Sequence, residues 1–257
     1  APLALLLAFS ASQARAGKCP EDCSAPPAAP AAAPAVAPPP AVAPPPAAGP
    51  KPVNIYAETG ADHLSPATAG ALSRVYVPNR SSNSVSVVDP VALKEVDRLS
   101  VGSKPQHVVP SWDLKTLWVA NNGTGTNGSL TPIDPLTAKA GKTIPVQDPY
   151  NMYFMPDGSS AIIVDEAYKQ LDLRDPQTMA LKATIPTPTC PGINHADFSV
   201  DGSYAIFTCE YGMGGLAKID LKNQKVLGHL DFSKMGMPQD IRLSPDGKVF
   251  YVADMMN

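Results

Sequence analysis

Residues 74–90 read RVYVPNRSSNSVSVVDP, and this stretch decides the fold. Arg74–Pro78 and Ser84–Asp89 carry the Val and Tyr of strands. The polar residues between them make a turn, and Asp89-Pro90 closes the second strand as the start of a type I turn. The same phrase then returns along the chain. Its closing Asp recurs as Asp89, Asp134, Asp175 and Asp220. A second Asp, in a strand-to-strand turn, recurs as Asp113, Asp157, Asp201 and Asp246, and an anchor inside an apolar strand recurs as Val77, Val119, Val164, Thr208 and Val252. Three anchors hold one period of about 44 residues, which marks a repeat architecture.

Each repeat divides into four strand-like segments. The first meets the second through Trp112-Asp113-Leu114-Lys115, Pro156-Asp157-Gly158, Val200-Asp201-Gly202 or Pro245-Asp246-Gly247, all tight-turn chemistry. The second is continuously apolar (Leu117–Val119, Ala161–Val164, Ala205–Phe207, Val249–Val252), as suits a strand covered on both faces. The third ends in Asp-Pro or Asp-Leu, and the fourth follows as Glu95–Val101, Lys142–Val146, Ala180–Ile185 or Lys225–Phe232. Four antiparallel strands, buried against neighbours on both sides, are a β-propeller blade. The fold class is therefore all-β, a β-propeller with about four and a fraction blades over residues 53–257.

The remainder of the 257 residues, at formal charge −3, is organised around export. Residues 1–16 hold an apolar run, Leu3–Phe9, followed by Ala14-Arg15-Ala16, a small-x-small cleavage signature, and read as the remains of a secretory signal. The run is too short to span a bilayer. Residues 17–24 form a short Cys-containing segment, and 25–52 an Ala/Pro-rich linker. Proline fixes φ and removes donors there, so this tract runs as an extended polyproline II spacer. Val53–Ser73 is placed to supply a strand to a neighbouring repeat. The balance of charge, with no basic cluster, argues against nucleic acid as partner. The chain starts without Met inside an apolar run and ends just after a strand, and reads as a piece of a longer protein.

The cysteines agree with an oxidising compartment. With Asp201-Gly202 joining two antiparallel strands, Cys209 faces Asn194, a few residues from Cys190, so a Cys190–Cys209 disulfide and two buried thiols are both open. Cys19 and Cys23 are spaced for a local disulfide, free thiols, or a metal clip or haem attachment, although no Cys-x-x-Cys-His occurs.

VYVPN at Val75–Asn79, SVSVVDP at Ser84–Pro90 and LSPDGKVFYVAD at Leu243–Asp254 resemble the YVTN family of bacterial β-propeller repeats, from about Arg74 to Asn257. The resemblance implies an exported, seven-bladed protein. It also implies broad similarity to lactonase-like propellers, to the quinoprotein amine dehydrogenase large subunit and to the haem-d1 propeller of nitrite reductase. No lactonase or quinone-binding motif accompanies it.

In a propeller, the loop opening each innermost strand and the loop leaving the second strand share one face around the central channel. Six residues before each turn Asp stand His107, Asn151, His195 and Asp240. At the ends of the second strands stand Asn79, Asn121, Asp165, Glu210 and Asp254. In one reading His107 and His195, assisted by Asp240, Asp165 or Glu210, bind a divalent metal or a polar ligand at the channel mouth. In the other these side chains satisfy strand ends and loop amides. No other cofactor is evident. The expectation is a periplasmic or secreted binding or scaffold module with a protein partner or small polar ligand at the propeller face. The rivals are a metal-dependent, lactonase-like hydrolase and a redox-partner subunit.

Overall fold

The computed structural model describes residues 54–60, 62–124, 126–212, 214–231 and 236–256. The signal sequence, the Cys19/Cys23 segment and the linker lie outside the described residues.

Five antiparallel sheets follow one another along the chain. The first holds β1 (Val75–Asn79), β2 (Ser84–Asp89) and β3 (Lys94–Ser100), in that order. The second holds β4 (Pro105–Pro110), β5 (Leu117–Asn121) and β6 (Ser129–Asp134), with two short outer pieces, β7 (Lys139–Ala140) and β8 (Ile144–Pro145), both paired to β6. The third is β9 (Pro149–Phe154), β10 (Ala161–Asp165), β11 (Gln170–Arg174) and β12 (Leu181–Pro186). The fourth is β13 (Ile193–Phe198), β14 (Tyr204–Cys209), β15 (Leu216–Asp220) and β16 (Lys225–Leu230), and the fifth is β17 (Pro238–Leu243) with β18 (Phe250–Asp254). Innermost strands touch from sheet to sheet, β4 against β9, β9 against β13 and β13 against β17. No helix among the described residues is long and apolar enough to cross a membrane. This is a β-propeller arc.

The repeated residues now have physical reasons. Each closing Asp bends the chain by accepting amide hydrogen bonds two or three residues on: Asp89 Oδ1 from Val91 and Ala92 at 2.9 Å each, Asp134 from Leu136 at 2.8 Å, Asp175 from Thr178 at 2.8 Å, Asp220 from Asn223 at 2.9 Å. The turn Asp does the same for the inner hairpin, with Asp113, Asp201 and Asp246 each taking a Ser hydroxyl at 2.7 Å. Gly158 sits at φ 72°, and a Cβ there would meet the Trp112 indole at 2.2 Å, so the turn of one blade seats the residue before the previous blade's turn Asp. Leu114 takes the same backbone position at φ 59° without the glycine.

The cores lie between sheets, as two-sided strands require. β10 is buried at every residue, and one cluster packs Ile162, Val164, Leu171, Leu173 and Ile185 against Ile193, Phe207 and Ile219 of the next sheet. A second packs Trp118, Ala120 and Leu130 against Met152 and Ile163. In the equivalent strands at the two ends of the arc, Val77 and Tyr251 remain exposed.

Residues 54–60 and 62–73, within the segment expected to supply a strand, form none. From residue 54 onward its short polar side chains hold turns instead: Asn54 Oδ1 accepts from the Tyr56 amide at 3.0 Å, and Ser65 caps a 3-10 turn at Pro66–Thr68. It docks on the β17–β18 hairpin, where Ile55 N donates to Pro245 O at 2.9 Å and the Tyr56 hydroxyl to Leu243 O at 2.7 Å.

Register brings one further correction. Ala196 pairs with Phe207 and Phe198 with Ala205, as the turn dictates, but a β-bulge then shifts the register so that Cys209 faces Ile193 rather than Asn194. Cys190 and Cys209, both fully buried, are joined by a disulfide with Cα atoms 5.0 Å apart. With 19 residues of sequence separation, reduction is expected to cost about 3 kcal/mol by loop-closure entropy. Urea denaturation with and without a thiol reductant measures it. An unchanged midpoint would contradict the prediction.

Candidate functional site

The same bulge recurs where every innermost strand with a partner opens. The register shifts between Pro105 and His107, at Val164/Asp165 opposite Pro149–Asn151, between Ile193 and Ala196, and between Pro238 and Ile241. Each time, two residues on the inner strand oppose one on the second. Bulges re-aim side chains, and here they present His107, Tyr150, His195 and Asp240 together.

His107 and His195, 88 residues apart, meet with their Nε2 atoms 3.3 Å from each other. Tyr150 stands beside both, its ring centroid 5.3 Å from that of His107 and 5.9 Å from that of His195. His107 Nδ1 lies 2.9 Å from the Tyr150 carbonyl oxygen. A carbonyl only accepts, so Nδ1 carries the hydrogen, and in the neutral ring Nε2 is a bare lone pair. Burial lowers the basicity of His107 below the ordinary value. It holds His195 down at about 4, with the neighbouring His107 adding to the effect. Both rings are therefore neutral at pH 7. The His195 main chain is fixed by Thr208, whose hydroxyl accepts from His195 N at 3.0 Å and donates to Gln239 O at 2.8 Å, tying two bulges together.

His107 and His195 line a cavity of about 470 Å³. Val109, Met152, Tyr153 and Phe154 line it too, as do Asp240 and Arg242, joined at 2.8 Å and both about half exposed. Asn151 lines it as well, but its amide is committed: Oδ1 accepts from Met152 N at 2.8 Å and Nδ2 donates to the Tyr153 hydroxyl at 3.0 Å. Tyr153 also accepts from Ala196 N at 2.9 Å, linking the third sheet to the fourth.

The second predicted ring does not converge on this cavity. Asn79 donates to Ser86 at 2.9 Å, Asn121 to Thr131 at 3.0 Å, and Asp165 accepts from Gln170 at 3.0 Å, each within its own sheet. Asp254 receives the amides of Gly236, Met237 and Met256, each at 3.0 Å. Glu210 alone reaches a neighbouring blade. It accepts from Asn194 Nδ2 and meets the carboxyl of Glu166, which in turn is bonded to Tyr211.

Glu166 escaped the sequence reading, which took only Asp165 from that strand end. The Asp165-Glu166 pair beside an aligned Glu210 was the available signal. Desolvation, followed by the charge of Glu210, pushes Glu166 up to about 8, so the pair retains a proton. Desolvation and the nearby Asp172 raise Asp165 to about 8 as well. Asp148, which holds Asn122 Nδ2 at 2.7 Å and Ala167 N at 2.6 Å, is also raised by burial. Among the described residues no group of three His, Cys, Asp or Glu side chains is gathered for a metal.

Successive antiparallel sheets whose innermost strands touch, with a cavity beside those strands, define a β-propeller protein. A family model described as a YNCE-like beta-propeller matches residues 48–174, just under half the chain. Among solved structures, hydrazine synthase from Kuenenia stuttgartiensis is similar at 22% identity and TM-score 0.62, over 72% of this chain and 53% of that one. A proposed 6-phosphogluconolactonase from Bacteroides fragilis is similar at 18% identity and TM-score 0.57, over 70% of this chain and 60% of that one. Its counterpart from Bacteroides uniformis gives 18% and 0.59, with the same coverages. The chain thus spans about half to three fifths of the length of these structures, and identities at this level speak for the fold alone. No curated protein matches the sequence.

Proposed function

We propose that this chain is a binding module exported to the bacterial envelope, and that its channel face takes a small polar ligand or a polar group of a protein partner. The observation that carries the reading is the cavity of about 470 Å³, a volume typical of ligand sites. Its lining combines apolar side chains with two neutral imidazoles and an Asp240–Arg242 pair able to orient a charged or hydrogen-bonding group. Export is supported by the apolar run and small-x-small signature at residues 1–16, and by the Cys190–Cys209 disulfide, which persists in oxidising compartments.

Thermal denaturation of the full chain against a panel of simple dicarboxylates, sugar phosphates and sugar lactones tests the reading. At least one compound should raise the melting temperature by several degrees, and Arg242→Ala together with His195→Gln should remove that shift. A panel without effect, or a shift that survives both substitutions, would overturn it. Turnover of a lactone would replace it with the hydrolase expected as a rival from the sequence.

A further inference from the structure

We infer that His107 and His195 form the protein half of a divalent transition-metal site, each ligating through Nε2 and leaving the remaining positions to water or the incoming ligand. The inference deepens the channel-face reading and rests on it. The first argument is distance. Two metal–nitrogen bonds of about 2.05 Å meeting near the tetrahedral angle place their nitrogen atoms about 3.3 Å apart, and the two Nε2 atoms stand at 3.3 Å.

The second argument is orientation. A ligating histidine characteristically donates its other ring N–H to a carbonyl or carboxylate, which fixes the tautomer and aims the lone pair. His107 has that bond, Nδ1–H to the Tyr150 carbonyl at 2.9 Å, and so presents Nε2 as a lone pair toward His195. Both rings stand on the bulges that open β4 and β13, rigid positions two blades apart. Imidazole pairs with a near-tetrahedral bite suit Zn(II) and its spectroscopic substitute Co(II). With no third His, Cys, Asp or Glu gathered at the site among the described residues, the ion is left open to exchange ligands.

Co(II) titration of the full chain, in a Cys19→Ser/Cys23→Ser background that silences the other soft donors, reads the site directly. One equivalent should give the intense visible absorption of four-coordinate Co(II), displaced by Zn(II). His107→Asn or His195→Gln should weaken binding by more than about 100-fold, beyond what loss of an outer-shell partner costs. His63→Gln, on the exposed segment beside Glu58, should leave it unchanged. Should either site variant fail to fold, nitrogen-15 spectra of the unsubstituted histidines decide, because Zn(II) should move the Nε2 signals of two rings only. A spectrum like that of aqueous Co(II), unchanged affinity in both site variants, or zinc shifts at other histidines would overturn the inference. Silent cobalt with ligand stabilisation retained removes the metal and leaves the cavity reading. Silence in both assays removes both.

Discussion

Truncating Phe207 to alanine is expected to cost about 3–5 kcal/mol, the range for emptying a fully buried aromatic position, measured as a lowered urea midpoint at unchanged slope. Phe207 is fully buried in the cluster between the third and fourth sheets. Its strand partners are Ala196 and Ala217, side chains too small to move into the space left behind. Nearby Ile193 and Ile219 are also fully buried, so collapse around the cavity is limited and the cost belongs at the upper end. The site feels the change as well. The Phe207 ring packs edge-on against Tyr153 at 6.1 Å, and the Tyr153 hydroxyl holds both Asn151 and the Ala196 amide beside the cavity. Phe207→Leu, which leaves less empty volume, should cost clearly less and preserve ligand stabilisation. Equal losses from the two substitutions would contradict the packing argument.

The repeat was legible because its marks are local. Asp89, Asp134, Asp175 and Asp220 bend the chain by bonding amides two or three residues away, and such chemistry is written in the sequence beside the residue that performs it. The apolar second strands were legible for the same reason, since burial on both faces forbids alternation. The first ring of site residues followed from counting back from each turn Asp. Lost to the sequence was every effect of the bulges. A one-residue slip puts Ile193, not Asn194, opposite Cys209 and brings Tyr150 beside the histidines, and a register shift leaves no mark in composition. The meeting of His107 with His195 depends on how narrow the channel is, which no local pattern records. Glu166 was missed because each second strand was credited with one terminal residue, whereas the carboxyl that crosses to Glu210 lies one position further on.

Raising the pH from 6.5 to 8 should destabilise the fold, against the usual expectation for a protein rich in salt-bridged carboxylates. The Glu166–Glu210 pair and Asp165 are buried, and each holds a proton to about 8 because desolvation disfavours the charged form. In the unfolded chain these carboxyls ionise near 4.5 and 3.8. Between those values and 8 the native state binds more protons than the unfolded one, so stability is full below the unfolded pKa and is lost as pH rises through the window. His195 acts in the opposite sense. Its folded value near 4 lies below the ordinary 6.5, so its contribution grows from 4 to 6.5 and is then complete. Above 6.5 the carboxyls act unopposed by it. Two carboxyls that are largely protonated when folded and ionised when unfolded make this loss about 3 kcal/mol across that interval. Arg174, which bonds Asp172 at 2.8 Å, and the Asn194 and Tyr211 contacts to the glutamates set how far each group is raised, without changing the sign. Melting temperatures in non-coordinating buffers at the two pH values measure the loss. Asp165→Asn combined with Glu166→Gln should flatten the dependence, since a neutral amide replaces each protonated acid in place. A wild-type protein more stable at pH 8 than at 6.5, or a double variant with the same slope, would mean that these carboxyls are ionised in the folded state and paired by some other means.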